Sequence, residues 1–320
     1  MKTPVALVFF NRPQTTARVF AEIAKARPVK LLLIADGPRA GHAGDEANCA
    51  ATRAIVERVD WDCEVLKNYS DVNLGCKMRP VTGLDWVFRN VEDAIILEDD
   101  CLPHPSFFRF CEELLAEYHD DERIMMVSGN DFQHGENATP YSYRFSRYTN
   151  TWGWASWRRA WQCFDVQMRA WPSLEKTEWL IDVLGNKEAA AHWQSVFART
   201  FQASDSIWDY QWLFSCWIQN GLSISPSVNL VSNIGFGEDS THTKGASEIA
   251  NLPIAKMTFP LQHPPRMSGD RAADDLIFKL YAQQESTAAS TLSRRIRQKL
   301  ARAVGSPARR LLDSTRPKTR

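Results

Sequence analysis

The fold prediction starts from one stretch of sequence, Ala94-Ile95-Ile96-Leu97-Glu98-Asp99-Asp100, in which an apolar run ends in three consecutive carboxylates. A short apolar run bounded by charge predicts a strand that is buried on both faces, as in a parallel sheet. The three acids then lie at the carboxyl end of that strand, where open α/β sheets bind their ligands. The stretch therefore predicts both the fold class and the edge of the sheet at which a site lies.

Adjacent carboxylates destabilise one another unless a cation or hydrogen-bond donors compensate for their charge. One solution is a hard divalent ion, Mg²⁺ or Mn²⁺, shared with a phosphorylated substrate. The other is a solvated acidic turn before the helix that is predicted to start near Pro105. For Glu98-Asp99-Asp100 taken alone the acidic turn is the commoner arrangement, so the choice depends on what the rest of the chain places at the same edge.

Two further apolar runs precede this strand, at residues 5–10 and 30–34, and a helix with Thr15 or Thr16 as its N-cap is predicted between them. Strand, helix and strand with short connections predict a βαβ unit and hence a parallel sheet. The remaining predicted helices cover 47–58, 83–89, 105–118, 175–183, 187–201 and a segment from Asp209, and the remaining strands cover 63–66, 124–127 and 222–228. We expect an α/β fold with a mostly parallel, Rossmann-like sheet flanked by helices.

Polar side chains follow each predicted parallel strand at its carboxyl end. Parallel strands bring these ends to one edge, so side chains that are ordinary singly converge on one place. They are Asn11 and Arg12 after the first strand, Asp36 after the second, Asn73 and Lys77 after the third, and Glu98, Asp99 and Asp100 after the fourth. No glycine-rich phosphate loop follows the first strand, which argues against a dinucleotide-dependent enzyme and a P-loop kinase.

The second half of the chain is rich in tryptophan, with ten of the twelve tryptophans between residues 152 and 217. Trp157 and Trp161 have helical spacing and are predicted core residues. Trp152 and Trp154 flank a glycine in a predicted loop. We expect these two rings to stack on the apolar face of a sugar.

Two further side chains in this half are candidates for chemistry. Asp209 lies among Trp208, Tyr210 and Trp212 at the start of an apolar helix, where it either complements the helix dipole or acts as a proton acceptor. His242 lies in a glycine-rich polar loop, residues 233–245, whose composition suits closure over a ligand. From that loop His242 could reach a phosphate or a metal.

Charge is distributed unevenly, although the whole chain has a net charge of +0. The segment from Ser286 onward holds ten Lys or Arg and one acid, and its apolar residues recur every four positions from Leu292 to Val304. A basic amphipathic tail on an acidic body predicts docking on an anionic membrane surface and argues against a nucleic-acid partner. The seven unpatterned cysteines, and the absence of a signal peptide or a long apolar span, predict a cytoplasmic, peripheral membrane protein.

The chain resembles a GT-A fold glycosyltransferase, and specifically the N-acetylglucosaminyltransferase I family and its bacterial relatives. The resemblance covers about residues 5–242. Four segments carry the resemblance. The first is Ile96-Leu97-Glu98-Asp99-Asp100, followed by Pro103, Pro105 and Phe107-Phe108. The others are Thr151-Trp152-Gly153-Trp154, Trp208-Asp209, and Phe236-Gly237 with His242. The resemblance implies a nucleotide-sugar-binding half at 1–132, an acceptor and catalytic-base half at 133–262, and a C-terminal extension at 263–320.

The same resemblance implies roles for individual residues. Asp100 would bind Mn²⁺ held by the nucleoside diphosphate, Asn11, Arg12 and Asp36 would hold the uridine and phosphates, and Trp152 and Trp154 would face the acceptor. Asp209 would be the catalytic base; the family motif is one residue shorter than Trp208-Asp209-Tyr210-Gln211-Trp212, which leaves Asp205 as the alternative. The implied reaction is inverting transfer of a sugar, GlcNAc by analogy, from a UDP-sugar to a hydroxyl of a glycan or lipid-linked glycan.

Two other readings of the residues remain open at this point. A sugar-1-phosphate nucleotidyltransferase has a similar nucleotide domain and metal, but it needs a Gly-rich loop bearing Arg and Lys where this chain has Asn11-Arg12-Pro13-Gln14. A carbohydrate-binding or sugar-nucleotide-binding protein could keep the fold without turnover. UDP release distinguishes the last reading from a transferase.

Overall fold

The structure is a computed structural model that describes residues 1–133, 139–202, 207–236 and 251–283. The chain divides into two compact units, Met1–Asp275 and Leu276–Arg320. Of the second unit the structure describes residues 276–283, which are helical. The proposed halves at 1–132 and 133–262 both lie in the first unit and stay a prediction.

The first part of the chain alternates strand and helix, as the apolar runs predict. Its elements are β1 (Val5–Phe9), α1 (Pro13–Ala26), β2 (Lys30–Ala35), α2 (Asp45–Val56), β3 (Glu64–Tyr69), α3 (Gly75–Asn90) and β4 (Asp93–Glu98). The four strands lie in the order β3-β2-β1-β4, and every neighbouring pair among them is parallel. Their carboxyl ends therefore meet at one edge of the sheet.

The rest of the first unit extends the sheet and covers it. Its elements are β5 (Cys101–Pro103), α4 (Pro105–Glu117), β6 (Ile124–Ser128), β7 (Tyr143–Ser146), β8 (Trp154–Trp157), α5 (Arg158–Trp161), α6 (Trp171–Leu174), α7 (Trp179–Leu184), α8 (Lys187–Gln202), α9 (Asp209–Ile218), β9 (Leu222–Pro226) and β10 (Val231–Asn233). The eight-stranded sheet has the order β3-β2-β1-β4-β8-β6-β9-β7, and β10 pairs with β5 in a separate two-stranded sheet. In the large sheet β8 runs antiparallel to both β4 and β6, so β4 and β6 point the same way.

Alternating side chains of the central strands build a separate core on each face of the sheet. From β1, Val5, Leu7 and Phe9 join the core under α1, α2 and α4. Ala6 and Val8 join the core under α3, α5 and α9. Because both faces are covered, the strands are apolar throughout. The predicted mostly parallel α/β fold with flanking helices is confirmed.

Several predicted boundaries are wrong for identifiable reasons. Helix α3 begins at Gly75 and not near residue 83, although Gly75 has a φ of +78° and Pro80 lies inside the helix; both residues suggest a loop in sequence. The N-cap of α1 is Arg12, with Pro13 in the first turn, and the Thr15 and Thr16 hydroxyls donate back to the Arg12 carbonyl oxygen. The predicted helix over 175–183 is wrong in its first four residues, because α6 ends at Leu174 and α7 begins only at Trp179.

The structure bears on two expectations about the whole chain, one concerning membrane spans and one concerning the cysteines. None of the helices that the structure describes is long and apolar enough to cross a bilayer. All seven cysteines, each within the described ranges, are free thiols. The basic tail after Ser286 lies outside the described residues, so its membrane role stays a prediction.

Candidate functional site

Register brings the ends of β1, β2 and β4 level with one another. Val8 pairs with Glu98, and Phe9 pairs with Ala35. The residues that follow these strands, including Arg12, Asp36 and the three acids, therefore lie at the same edge of the sheet. The predicted parallel arrangement of these strand ends is confirmed, and the roles of the polar groups that follow them stay predictions.

Arg12 and the three acids form the centre of this edge. The Asp99 carboxylate accepts a hydrogen bond from the Phe10 backbone N–H at 2.9 Å. Arg12 Nη1 lies 2.7 Å from Asp100 Oδ2 and 3.6 Å from Asp99 Oδ1. One guanidinium thus bridges two carboxylates across 88 residues of sequence, and we call Arg12, Glu98, Asp99 and Asp100 the acidic cluster.

Burial and mutual repulsion perturb the titration of the acidic cluster. Burial, followed by the charges of Asp100 and Asp99, raises the pKa of Glu98 to about 8, and Asp209 adds to the effect. Burial and the charge of Asp100 raise the pKa of Asp99 to about 7. Burial lowers the pKa of the Arg12 guanidinium, but the negative charges of Asp99 and Asp100 raise it by more, so the net shift is upward. Three carboxylates and one guanidinium thus lie together at this edge of the sheet.

The backbone of residues 233–235 packs closely against Asp100. β10 pairs with β5 so that Asn233 lies opposite Cys101, and the Ile234 N–H donates to the Asp100 carbonyl oxygen at 2.8 Å. At Gly235 a Cβ would lie 2.1 Å from Asp100 Oδ2. Only glycine permits this approach. Sequence reasoning placed Gly235 in a closing loop but did not connect it to Asp100, because nothing local signals the contact.

The donor set at this edge fits a hard divalent cation that brings ligands of its own. Carboxylate oxygens suit Mg²⁺ and Mn²⁺, and the Arg12 guanidinium already occupies a cation position on Asp100. Within the described residues no three His, Cys, Asp or Glu side chains are arranged to hold a metal ion by themselves. A metal bound by Asp100 therefore stays a prediction.

Asp36 is engaged within the protein. Its Oδ1 accepts from the backbone N–H groups of Gly37 and Leu74 at 2.9 and 2.8 Å, and its Oδ2 accepts from Gly75 N–H at 2.9 Å and Asn73 Nδ2 at 3.0 Å. These bonds tie the end of β2 to the start of α3. The structure thus brings Asp36 and Asn73 together at the edge, and their contact with a nucleotide stays a prediction.

Asn11 contacts Asp45, an acid that the sequence analysis did not single out. Asn11 Nδ2 donates to Asp45 Oδ1 at 2.8 Å, and Arg39 binds the same carboxylate with Nε at 2.7 Å and Nη2 at 2.9 Å. The Arg39 hydrogen bond holds the pKa of Asp45 well below its usual range. Asp45 fixes the loop after β1 to the start of α2. Only its position at the first turn of a helix hinted at this role.

Asp209 reaches the same edge from the second half of the chain. It is the first residue of α9, and its Oδ1 accepts from the Tyr210 N–H at 3.1 Å. The charge of Asp209 contributes to the raised pKa of Glu98, after burial and the charges of Asp100 and Asp99. When the side-chain amide of Gln211 is oriented with its oxygen toward α3, that oxygen lies 3.1 Å from Lys77 Nζ and accepts a hydrogen bond from it. Gln211 thus links α9, the helix that begins at Asp209, to Lys77 of α3.

The two acceptor-side tryptophans differ in access. Trp154 is 0% exposed, because it lies in β8 opposite Ile96 and its ring packs on Trp208 and Trp212. The prediction that Trp154 lies in a loop and offers its face to a sugar is therefore wrong; the neighbouring glycine suggested a turn, whereas pairing with β4 makes a strand. Trp152 is half-buried beside Phe236, at a ring-centroid distance of 5.5 Å.

Two predicted core tryptophans behave as expected, since Trp157 and Trp161 are 1% and 5% exposed. His242 and Asp205 lie outside the described residues, so both assignments stay predictions. The same holds for the loop from Gly237 onward.

Comparisons with known proteins give distant likenesses. No protein-family model matches the chain, and no curated protein matches it. Among solved structures it is similar to UDP-glucose pyrophosphorylase complexed with UDP-glucose, with 11% identity and a TM-score of 0.25 over 46% of this chain and 62% of that one, less than two thirds of its length. It is also similar to mouse xyloside xylosyltransferase 1 in its apo form, with 15% identity and a TM-score of 0.32 over 67% of this chain and 81% of that one. At these values the function has to be inferred from the residues of the site.

Proposed function

We propose that this chain is a metal-dependent, inverting glycosyltransferase that moves a sugar from a UDP-sugar to a hydroxyl of a glycan or lipid-linked glycan. The observation that carries the proposal is the acidic cluster at the carboxyl end of β4, together with Asp209, whose charge contributes to the raised pKa of Glu98. A diphosphate leaving group needs positive charge, and an acceptor hydroxyl needs a proton acceptor. The donor half of the site, around Asp100 and Arg12, would supply the positive charge, and the acceptor half, around Asp209, would supply the proton acceptor.

The donor half supplies charge to the leaving group. Asp100 would hold Mn²⁺ or Mg²⁺, and the ion would neutralise charge on the departing diphosphate. Arg12 adds a guanidinium that can donate two parallel hydrogen bonds to phosphate oxygens. Glu98 and Asp99 would orient the nucleotide-sugar and the water bound to the ion. The proposed nucleotide contacts of this half include Asn11, Arg12, Asp36, Asn73, Lys77 and His242.

The acceptor half supplies the base and the platform. The Asp209 carboxylate accepts the proton of the acceptor hydroxyl as that oxygen attacks the anomeric carbon. One base and one direct displacement invert the anomeric configuration. Trp152 supports the sugar ring of the acceptor, a role that buried Trp154 does not share. The family resemblance suggests GlcNAc as the sugar, and the basic tail suggests an acceptor at an anionic membrane in the cytoplasm.

The test measures release of UDP from UDP-sugars with Mn²⁺ or Mg²⁺ and a panel of glycan acceptors. Asp100→Asn and Asp209→Asn should each lower kcat by about 10²-fold or more while the melting temperature stays close to that of the wild type. Asp120→Asn is the matched control, because that side chain is 98% exposed. Undiminished turnover in Asp209→Asn would remove it as the base and leave Asp205 as the alternative.

Two other outcomes point to different functions. Release of pyrophosphate from UTP and a sugar 1-phosphate identifies a nucleotidyltransferase. Metal-dependent UDP binding without any release of UDP over hours identifies a binding protein.

A further inference from the structure

We propose that Val231 is a positioning residue for both sides of the candidate site, because its side chain sets the place of the segment that contacts Asp100 and Trp152. We call that segment, residues 231–236, the β10 arm. The inference rests on the proposed function, which gives Asp100 and Trp152 their roles. It adds a buried core residue that holds the two sides in register.

The β10 arm contacts the donor side and the acceptor side with consecutive residues. The Gly235 backbone lies so close to Asp100 that a Cβ would be 2.1 Å from Oδ2. The next residue, Phe236, packs its ring on that of Trp152, with a centroid distance of 5.5 Å and an interplanar angle of 73°. A shift of the β10 arm therefore changes the surroundings of Asp100 and of Trp152 at once.

The Val231 side chain lies in a socket formed by two glycines from separate parts of the chain. A Cβ at Gly129, the residue after β6, would lie 2.5 Å from Val231 Cγ2. A Cβ at Gly153, the residue before β8, would lie 2.7 Å from Cγ2 and 2.9 Å from Cγ1 of the same valine. The Gly129 N–H donates to the Gly153 carbonyl oxygen at 2.8 Å, which joins the two walls. Val231 is 1% exposed, so this close-packed socket restricts where it can lie.

Backbone pairing alone gives the β10 arm a weak hold. β10 and its partner β5 have three residues each and form a two-stranded sheet of their own. A two-stranded sheet without further packing is marginally stable. The other anchor is also at the start of the arm, where Asn130 Nδ2 donates to the Val231 carbonyl oxygen at 3.2 Å. We therefore assign the placement of the arm to the buried valine at its start.

The test has two readouts. One is the ¹⁹F NMR signal of Trp152 in protein labelled with 5-fluorotryptophan, identified by its loss in Trp152→Phe. The other is the pair of kinetic constants for UDP release from a UDP-sugar with Mn²⁺ and a glycan acceptor. Val231→Ala should shift the Trp152 signal toward its position in Phe236→Leu, which lacks the neighbouring ring. It should also raise the KM for the acceptor and lower kcat, each by about tenfold.

Val56→Ala is the matched control. Val56 is also fully buried in the same core but lies at the end of α2, and it loses the same methyl groups. This variant should lower the melting temperature and leave the Trp152 signal and both kinetic constants unchanged. The comparison separates positioning by Val231 from a general loss of core packing.

A second set of variants tests the socket. Gly153→Ala should change both readouts in the same direction as Val231→Ala, because its Cβ meets both valine methyl groups. In the Val231→Ala background the nearest remaining atom is the Cβ of residue 231, at 3.2 Å, so Gly153→Ala should add less than about twofold. Gly41→Ala controls for backbone strain, since Gly41 has a φ of +74° against +71° for Gly153 and no heavy atom of the described residues lies within 4 Å of the added Cβ. It should leave both readouts unchanged.

Three results overturn the inference. The first is a wild-type Trp152 signal in Val231→Ala, and the second is a shifted signal with unchanged kinetic constants. The third is an effect of Gly153→Ala that persists in full in the Val231→Ala background. If Val231→Ala folds poorly, Val231→Cys makes a smaller deletion and is judged by the same readouts. Absence of UDP release by the wild type refutes the proposed function, whereas the ¹⁹F signal still decides whether Val231 places the β10 arm.

Discussion

Replacing Gly235 with alanine should disable the site through its contact with Asp100. The added Cβ would lie 2.1 Å from Asp100 Oδ2 and 2.8 Å from both Cβ and Cγ of that residue. Real Cβ atoms essentially never approach another heavy atom within 3.0 Å, so the Oδ2 contact alone requires a separation of about 0.9 Å. Rotation of the carboxylate does not suffice, because the Asp100 Cβ is also too close.

If Asp100 moves by about 0.9 Å directly away from Arg12, their 2.7 Å contact lengthens to about 3.6 Å, beyond hydrogen-bond distance. Misplacement of a catalytic group by about 1 Å costs about 10²-fold in rate. We therefore expect kcat/KM for sugar transfer to fall about 100-fold in Gly235→Ala, with an overpacking cost of about 1–3 kcal/mol in unfolding free energy. The assays are UDP release, binding of the Mn²⁺–UDP chelate and urea unfolding.

Gly269→Ala is the matched control, since the atom nearest to its added Cβ would be 3.7 Å away, an ordinary contact. It should change neither rate nor chelate affinity. A folded Gly235→Ala protein with wild-type turnover and wild-type affinity for UDP with Mn²⁺ would refute the inference that the site depends on the position of Asp100 beside Gly235.

The remaining predictions concern stability and access. Burial raises the pKa of Asp274 to about 6 from 3.8, so the folded state holds the proton of this carboxyl more tightly than the unfolded state does. As the pH rises from about 4 to about 6, the unfolding free energy of the wild type should therefore fall relative to that of Asp274→Asn. The expected fall is at most about 3 kcal/mol. Asp36→Ala removes the acceptor of four hydrogen bonds and should lower the unfolding free energy by about 3 kcal/mol or more in urea titrations. Trp154→Ala should cost about 3–5 kcal/mol of stability, whereas Trp152→Ala should raise the KM for the acceptor with a smaller loss of stability.

Each of these has an outcome that contradicts it. Parallel pH profiles for the wild type and Asp274→Asn would mean that burial does not shift this carboxyl. Asp36→Ala with wild-type stability would show that the N–H groups of α3 find water instead. Equal effects of the two tryptophan variants on stability and KM would contradict the difference in their exposure.

The parallel half of the fold was predictable because its signal is local. β1, β2 and β4 are buried on both faces, so each is an uninterrupted apolar run that stands out in sequence. β8 was missed because Trp154–Trp157 mixes large and small residues, and its strand character depends on pairing with β4 and β6. Strand pairing across a distant segment leaves little trace in a single sequence.

The candidate site was predictable as a place but not as a set of contacts. Parallel topology determines that Arg12 and Asp100 share an edge, and the sequence shows this. The 2.7 Å ion pair between them and the approach of Gly235 depend on the register of separate segments. The distinction between buried Trp154 and half-buried Trp152 likewise depends on tertiary packing.

The place of β6 in the sheet has a consequence for protein engineering and for the evolutionary history of the chain. β6 belongs to the first 132 residues, yet its neighbours in the sheet, β8 and β9, both come later. A chimera joined near residue 132 would therefore have to match foreign sequences along four seams: β4 with β8, β6 with β8 and β6 with β9 in the large sheet, and β5 with β10 in the small one. The two halves are interleaved, and a change of acceptor is more readily made by substitutions in loops than by exchange of halves.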